Sequence, residues 1–138
     1  MNFLVDTNVL CEPWQKRPEA RVVHWLRTNE PSLYTSVLVI GEIRYGIELL
    51  PSHSAKRAEL LRWQQRLSLI MAGRILSINA RVAEEWARLQ SEAHRRQRVL
   101  SVVDSLLAAT ARRYELTLVT DNASDFSDVG VKIFNPFT

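Results

Sequence analysis

Short apolar runs alternate with longer amphipathic segments along the 138 residues of the chain. The runs rich in branched apolar residues predict five buried strands, at residues 2–6, 33–36, 75–78, 116–120 and 131–134. Segments with apolar residues three and four positions apart predict helices between them, at residues 37–50, 55–70, 80–95 and 103–114. We also expect a short helical turn within residues 7–14 and a helix that begins at Pro18.

This alternation predicts the fold class. Strands separated by helices form a mostly parallel sheet that is covered by helices on both faces, which is a three-layer α/β/α fold. We expect one domain over residues 1–138, because this length suits a single core and no repeat interrupts the pattern. Such folds bind ligands at the carboxyl ends of their strands, so polar residues at those ends become the candidate site.

Composition excludes several other classes of protein. Hydrophobic residues make up 46% of the chain, yet no apolar run approaches the ~20 residues of a membrane span. Cys11 is the single cysteine, so no disulfide can form within the chain. Only five residues precede Asp6, which is too few for a signal peptide. We therefore expect a cytoplasmic protein that does not bind a membrane.

The net charge is +3, and fifteen of the eighteen basic residues are arginine. Arginine suits bidentate contacts with phosphate or carboxylate groups. The charge therefore favours a nucleic-acid substrate or an acidic partner, although many soluble domains reach a similar value.

Carboxylate side chains occur at four places where a predicted strand gives way to a helix or a loop. Asp6 follows the first strand, Glu42 lies in the helix after the second, Asp104 begins helix 103–114, and Asp121 and Asp125 follow the fourth strand. Most of them also have a structural explanation, because aspartate caps helices and is common in turns. If the sheet gathers these positions at one edge, they form an acidic pocket.

Glu42 is the hardest of these residues to explain without a function. Its neighbours in residues 37–43 are nearly all apolar, which predicts a largely buried helix. A charged side chain in such a helix needs a partner or a metal ion.

A group of carboxylates at this edge would need a divalent cation. Two like charges ~5 Å apart repel by about 3 kcal/mol at an effective dielectric constant near 20. Mg²⁺ or Mn²⁺ would remove that cost, and both ions prefer oxygen ligands. The three histidines show no metal-ligand spacing and are expected at the surface or its boundary; they are His24, His53 and His94.

Four segments resemble, in order, the motifs of the PIN domain. They are residues 3–10 (FLVDTNVL), 41–47 (GEIRYGI), 104–111 (DSLLAATA) and 120–126 (TDNASDF). The resemblance is strongest to the VapC/FitB-like toxins of type II toxin–antitoxin systems, and it extends over essentially the whole chain. Glu12-Pro13 after the first motif and the ending with Asn135-Pro136 also fit that branch.

The resemblance implies a Mg²⁺-dependent endoribonuclease, with Mn²⁺ as an alternative ion, that cleaves RNA phosphodiester bonds by a metal-activated water. It implies a homodimer and a cognate VapB/FitA-like antitoxin that blocks the pocket, with DNA reached only through the antitoxin. Carried over by motif, the acidic metal-site residues are Asp6, Glu42 and Asp104, and residues 120–126 supply a fourth contribution.

Two departures from the branch leave questions open. A basic residue often stands where this chain has Asp121, so the fourth ligand is either Asp121, which we also take as catalytic, or Asp125. The supporting polar residues are expected to be Thr7, Asn8, Thr120 and Asn122. Residues 94–100 lack the usual Gly or Pro, so this segment either extends a helix, contacts RNA phosphates through its arginines, or is a solvated helix end.

A second interpretation is a PIN-like binding module with weak or no nuclease activity, whose acidic pocket mainly receives an arginine of the antitoxin. Two other enzyme classes fit poorly. A haloacid-dehalogenase-type phosphatase needs Asp where Asn8 stands, and the four glycines form no phosphate loop.

Overall fold

A single sheet of five parallel strands organises the computed structural model, which describes residues 1–138. The strand order is β3-β2-β1-β4-β5, and every neighbouring pair is parallel. The strands are β1 Phe3–Val5, β2 Leu33–Ser36, β3 Ile75–Leu76, β4 Thr117–Val119 and β5 Ile133–Phe134.

Six α-helices and three 3₁₀ helices connect the strands. The α-helices are α1 Thr7–Leu10, α2 Ala20–Thr28, α3 Val37–Glu48, α4 Ala55–Ile70, α5 Ala80–Arg95 and α6 Val102–Arg113. The 3₁₀ helices are Glu12–Trp14, Glu30–Ser32 and Ala123–Phe126. Side-chain caps begin most of the long helices, as Ser36, Ser54, Asn79 and Ser101 do for α3, α4, α5 and α6.

The direction of strand order reverses between β1 and β4. The chain proceeds from β1 to β2 and β3 on one side of the sheet, whereas β4 and β5 lie on the other side of β1. Because crossovers between parallel strands are almost always right-handed, this reversal places helices on both faces of the sheet. It also opens a crevice at the carboxyl ends of β1 and β4, which is where such folds bind ligands.

The central strands are the most buried part of the chain. Leu4 and Val5 of β1 and Leu118 and Val119 of β4 have no exposed surface. Complete burial on both faces is expected for parallel strands that lie between two helical layers. No helix of this fold combines the length and the apolar character that crossing a membrane requires.

The predicted elements are confirmed, and their ends differ most at the two edges of the sheet. Strands β3 and β5 have two residues each, although the sequence predicts four at each place. Both are edge strands that hydrogen-bond to a single neighbour, so less of the apolar run is held in a ladder.

Helix α3 is less buried than its sequence predicts. Its buried residues are Val39, Ile43 and Ile47, which follow each other at intervals of four and form one narrow stripe. Tyr45 is 67% exposed and Glu42 also lies on the exposed side. The prediction that this helix is largely buried around Glu42 was therefore wrong.

The segment before α6 packs against the loop that follows β4. Helix α5 ends at Arg95, so the segment does not extend the helix. The Arg98 guanidinium donates to the carbonyl oxygens of Asp125 at 2.6 Å and Ser124 at 3.4 Å. Arg96 donates to the carbonyl oxygen of Asp128. These two arginines therefore hold residues 124–128 in place.

Candidate active site

Asp6 lies in the crevice, between the end of β1 and the start of α1. Its backbone N–H donates to the carbonyl oxygen of Val119 at 2.9 Å, which fixes it beside the end of β4. Its Oδ1 accepts a hydrogen bond from the Thr7 N–H at 2.7 Å, and its Oδ2 accepts one from the Thr120 hydroxyl at 2.8 Å. The residue is only 9% exposed. The Asp6 carboxylate thus caps α1 and also lies in the candidate site.

Glu42 reaches the same crevice from α3, despite its exposed position. The Thr7 hydroxyl donates to Glu42 Oε1 at 2.6 Å, whereas Glu42 Oε2 makes no hydrogen bond. Thr7 therefore links two acidic positions, because its backbone binds Asp6 and its side chain binds Glu42.

Asp104 lies in the first turn of α6 and has a free carboxylate. The capping of this helix falls to Ser101, whose Oγ accepts a hydrogen bond from the Asp104 N–H at 3.1 Å. The side chain of Asp104 makes no hydrogen bond or ion pair. Ser101 therefore performs the helix capping that this pattern predicts, and the Asp104 carboxylate remains available to bind a ligand.

Asp121 is joined to the site and Asp125 is not. The side-chain amide of Asn8 donates to Asp121 Oδ1 at 3.3 Å. Asn122 is held nearby, since its N–H donates to Thr120 Oγ1 at 3.1 Å. Asp125 lies in the 3₁₀ helix Ala123–Phe126, and its side chain makes no hydrogen bond or ion pair. On this geometry Asp121 is the better candidate for the fourth acidic position.

The electrostatics of the crevice disfavour negative charge. Burial raises the pKa of Asp6 above its ordinary value of 3.8, and the charges of Glu42 and Asp104 raise this pKa further. The hydrogen bonds from Thr120 and Thr7 lower it but do not reverse the shift. The influence of Glu42 and Asp104 on Asp6 indicates that all three carboxylates lie within one electrostatic site.

No lysine or arginine of the chain neutralises these carboxylates. The acidic residues in ion pairs all lie elsewhere: they are Glu19, Glu30, Glu48, Glu85 and Glu92. The candidate acids therefore lack a counter-charge within the protein, and an external cation can supply it.

The donor chemistry fits a hard divalent cation. The converging groups are carboxylates, hydroxyls and amides, all with oxygen donors, which suits Mg²⁺ or Mn²⁺ rather than zinc. The side chains as they stand bring no three His, Cys, Asp or Glu residues together closely enough to hold a metal ion. Burial raises the pKa of the nearby Cys11 thiol to about 11, which favours the protonated form at neutral pH.

A groove of about 1070 Å³ adjoins the crevice, and Asn8, Glu42 and Asp121 lie in its wall. The 3₁₀ helix Glu12–Trp14 and the residues after it line one part of it, and helices α3 and α4 line another. The sequence did not predict this groove beside the candidate acids.

Comparisons with known proteins agree with this arrangement. The profile of the PIN domain matches residues 3–132. The chain belongs to the PIN-domain family. A curated relative, toxin FitB of Neisseria gonorrhoeae, is 34% identical over 136 residues, covering 98% of each chain. The VapC ribonuclease Y4jK of Sinorhizobium fredii is 27% identical, with 98% of this chain and 97% of the relative aligned.

A solved structure supports the fold independently. The structure of FitAB bound to an IR36 DNA fragment contains a chain that superimposes with a TM-score of 0.91 and 33% identity. The match covers 99% of this PIN domain and 96% of that chain. The resemblance identified from the four sequence motifs is therefore confirmed, as is the five-stranded fold.

Sequence reasoning gave no role in binding to four charged residues that line the groove of this PIN domain. They are Glu12, Lys16, Arg17 and Lys56. A signal was present, since Trp14 is followed closely by two basic residues, and aromatic side chains interleaved with basic ones are typical of nucleic-acid binding. Lys56 lies on helix α4, and residues 14–17 give no indication that it lines the same groove.

The roles of Asp121 and Asp125 can be separated by paired substitutions. We expect Asp121→Asn to lower RNA cleavage about 10- to 100-fold, which is the usual cost of losing a group that supports a metal site. We expect a loss at least about tenfold smaller for Asp125→Asn, because no hydrogen bond links its side chain to the site, whereas Asn8 links Asp121. Initial rates of cleavage of one labelled RNA measure both variants, and the reverse order of effects would assign the fourth position to Asp125.

Proposed function

We propose that this PIN-domain protein is the toxin of a type II toxin–antitoxin system and acts as a Mg²⁺-dependent endoribonuclease. The observation that carries the proposal is that the charges of Glu42 and Asp104 act on the buried carboxylate of Asp6, while no lysine or arginine of the protein pairs with any of the three. An enzyme that hydrolyses phosphodiester bonds needs such a site, since the charge on the phosphate is balanced there by a metal ion.

The names of the relatives support the class of reaction and the kind of partner. FitB is named as a toxin and Y4jK as a ribonuclease. By analogy, the partner would be a FitA- or VapB-like antitoxin, the protein would form a homodimer, and DNA would be bound only through the antitoxin. In one solved structure, the FitAB complex is bound to a DNA fragment.

The residues proposed to hold the metal are Asp6, Glu42, Asp104 and Asp121. When bound, the ion would stabilise negative charge on the phosphoryl oxygens and make a water molecule more acidic. The protein's own groups set the geometry, because Thr120 and the Thr7 N–H fix both oxygens of Asp6 and leave little rotational freedom. Glu42 Oε1 is held by Thr7, so Glu42 Oε2 is free to accept a proton from the attacking water.

Cleavage of a labelled RNA with controlled metal content tests this function. We expect the purified protein to cleave with Mg²⁺ or Mn²⁺ and to stop when EDTA is in excess. Protein carrying Asp6→Asn, prepared in parallel, controls for contaminating ribonucleases. Absence of both cleavage and Mg²⁺ or Mn²⁺ binding by calorimetry would instead favour a binding module whose acidic pocket receives an arginine of the partner.

A further inference from the structure

The groove leads away from the candidate acids along helix α3. Glu42, Ile43, Gly46 and Ile47 all line it, and this spacing places them on one face of the helix. Helix α4 runs in the opposite direction, because its Gln64 contacts Ile40 while Arg57 contacts Glu48. Lys56, in the first turn of α4, therefore lies near the end of α3 that is remote from Glu42.

Three cations of the groove have no partner within the protein. Lys16, Arg17 and Lys56 are exposed and make neither an ion pair nor a side-chain hydrogen bond. Other basic side chains of the chain do make ion pairs, as Arg44, Arg57 and Arg112 show. The groove therefore offers positive charge to an external anion. The charge of Lys56 lies along α3, away from the acidic crevice.

The wall of the groove also carries aromatic surface and a buried acid. Trp14 and Trp63 are half-buried and pack edge to face, with ring centroids 5.8 Å apart. Glu12 is 9% exposed, yet its carboxylate makes no hydrogen bond or ion pair. Glu12 lines the groove, so the N–H groups of a ligand in the groove can donate to its unpaired carboxylate.

We propose that this groove binds the single-stranded RNA that flanks the scissile phosphate. This inference rests on the proposed function. Lys16, Arg17 and Lys56 contact phosphates, Trp14 stacks on a base, and Glu12 accepts hydrogen bonds from the N–H groups of a base. A single strand fits because its unstacked bases can reach aromatic side chains and present their edges. A purely apolar polypeptide would leave the three cations without a partner.

RNA binding in a variant that cannot cleave tests the groove apart from the chemistry. The background is Asp6→Asn in EDTA, and the probe is a fluorescein-labelled single-stranded RNA of about 12 nucleotides, read by anisotropy. We expect Lys16→Gln, Arg17→Gln and Lys56→Gln together to weaken binding. The slope of log affinity against log salt should fall by about 2, since each phosphate contact with a single strand contributes about 0.7.

A second triple variant controls for the change in net charge. Arg27, Arg81 and Lys132 are exposed, make no ion pair and lie outside the groove, so their replacement by Gln removes the same charge. We expect this variant to keep most of the original salt slope. Equal slopes in the two triple variants would overturn the proposal.

The two glycines of α3 provide a matched pair for the shape of the groove. A Cβ at Gly46 or at Gly41 meets no atom within 4 Å, so a side chain can begin at either place without a clash, and leucine favours the helix. Gly46 lines the groove, whereas Gly41 lines a different cavity. We expect Gly46→Leu to weaken RNA binding about fivefold or more, as loss of one stacked base would, and Gly41→Leu to weaken it much less.

The base contact has its own test. If Glu12 accepts N–H groups, oligocytidylate with its amino groups should bind more tightly than oligouridylate, and Glu12→Gln should reduce this preference. A preference that Glu12→Gln leaves unchanged would overturn the assignment of Glu12.

The outcomes also separate this inference from the proposed function. Metal-dependent cleavage with normal RNA binding in the groove variants would overturn only the groove. The Gly46→Leu protein could instead bind RNA normally and fail to bind its FitA- or VapB-like antitoxin. That result would assign the groove to the protein partner and overturn the RNA proposal. Absence of both RNA binding and cleavage in the unmodified protein would reject both.

Discussion

Replacement of Asp6 by asparagine is expected to lower metal-dependent RNA cleavage by at least about 100-fold. Loss of a residue that merely supports a ligand already costs about 10- to 100-fold, so loss of a proposed ligand should cost more. Asparagine retains the size of the side chain and an oxygen that can accept the Thr7 N–H, and it caps helices as well as aspartate does. The rate of cleavage of a labelled RNA, compared with the unmodified protein, measures the effect.

The same substitution is expected to leave thermal stability unchanged or higher in EDTA. The pKa of Asp6 is raised in the folded protein, so the folded state binds a proton more tightly than the unfolded state. The stabilising effect of that proton is present at low pH and is lost as pH rises through the folded pKa. At neutral pH the ionised Asp6 therefore lowers stability, and an uncharged asparagine at this position would not.

Melting temperatures across a pH series check this sign. The advantage of Asp6→Asn should be largest at neutral pH and should shrink as pH falls toward 3.8, the ordinary pKa of the group. Asp128→Asn is the matched control, because Asp128 is exposed and asparagine tolerates its positive φ of 66°. A large loss of stability in Asp6→Asn would show that lost activity reflects misfolding.

The sequence could predict Asp6 and Asp104 because each follows a strong local pattern. Asp6 ends an apolar run, and Asp104 lies three residues after the capping Ser101, at the start of a helix with a clear repeat. These signals also predicted the order of elements. The neighbouring positions of β1 and β4 place Asp6 beside the end of β4. The alternation of strands and helices predicted a parallel sheet, and the gathering of the acids at one edge was a condition of the predicted site.

Glu42 was identified on an argument that the structure does not support. Its apolar neighbours suggested burial, but only one stripe of α3 faces the core and Glu42 lies outside it. What holds Glu42 at the site is the Thr7 hydroxyl, from a residue 35 positions earlier. A contact of that range depends on how α1 and α3 pack, and no local pattern encodes it.

The loop after β4 could not be predicted for the same reason. Asp121 and Asp125 are equivalent in a turn-forming segment, and their difference arises from distant partners. Asn8 binds the side chain of Asp121, while Arg98 binds the backbone of Asp125. Arg96 and Arg98 thus have structural partners that their own sequence does not indicate.

Replacement of Asp104 by asparagine is expected to have an effect on cleavage as large as that of Asp6→Asn, again at least about 100-fold. This change is the cleanest available, because the Asp104 side chain makes no hydrogen bond and Ser101 still caps the helix. Melting temperature should therefore stay close to that of the unmodified protein. Glu84→Gln, at an exposed residue of α5 without an ion pair, provides the control for loss of one negative charge.

The double variant decides whether Asp6 and Asp104 serve one site. Groups that act as a unit are strongly non-additive, so removal of both should cost little more than removal of either. Independent roles would instead multiply the two losses. If Asp104→Asn retains nearly full activity while Asp6→Asn does not, Asp104 affects Asp6 only through its charge, and the proposed metal site must be built from Asp6, Glu42 and Asp121.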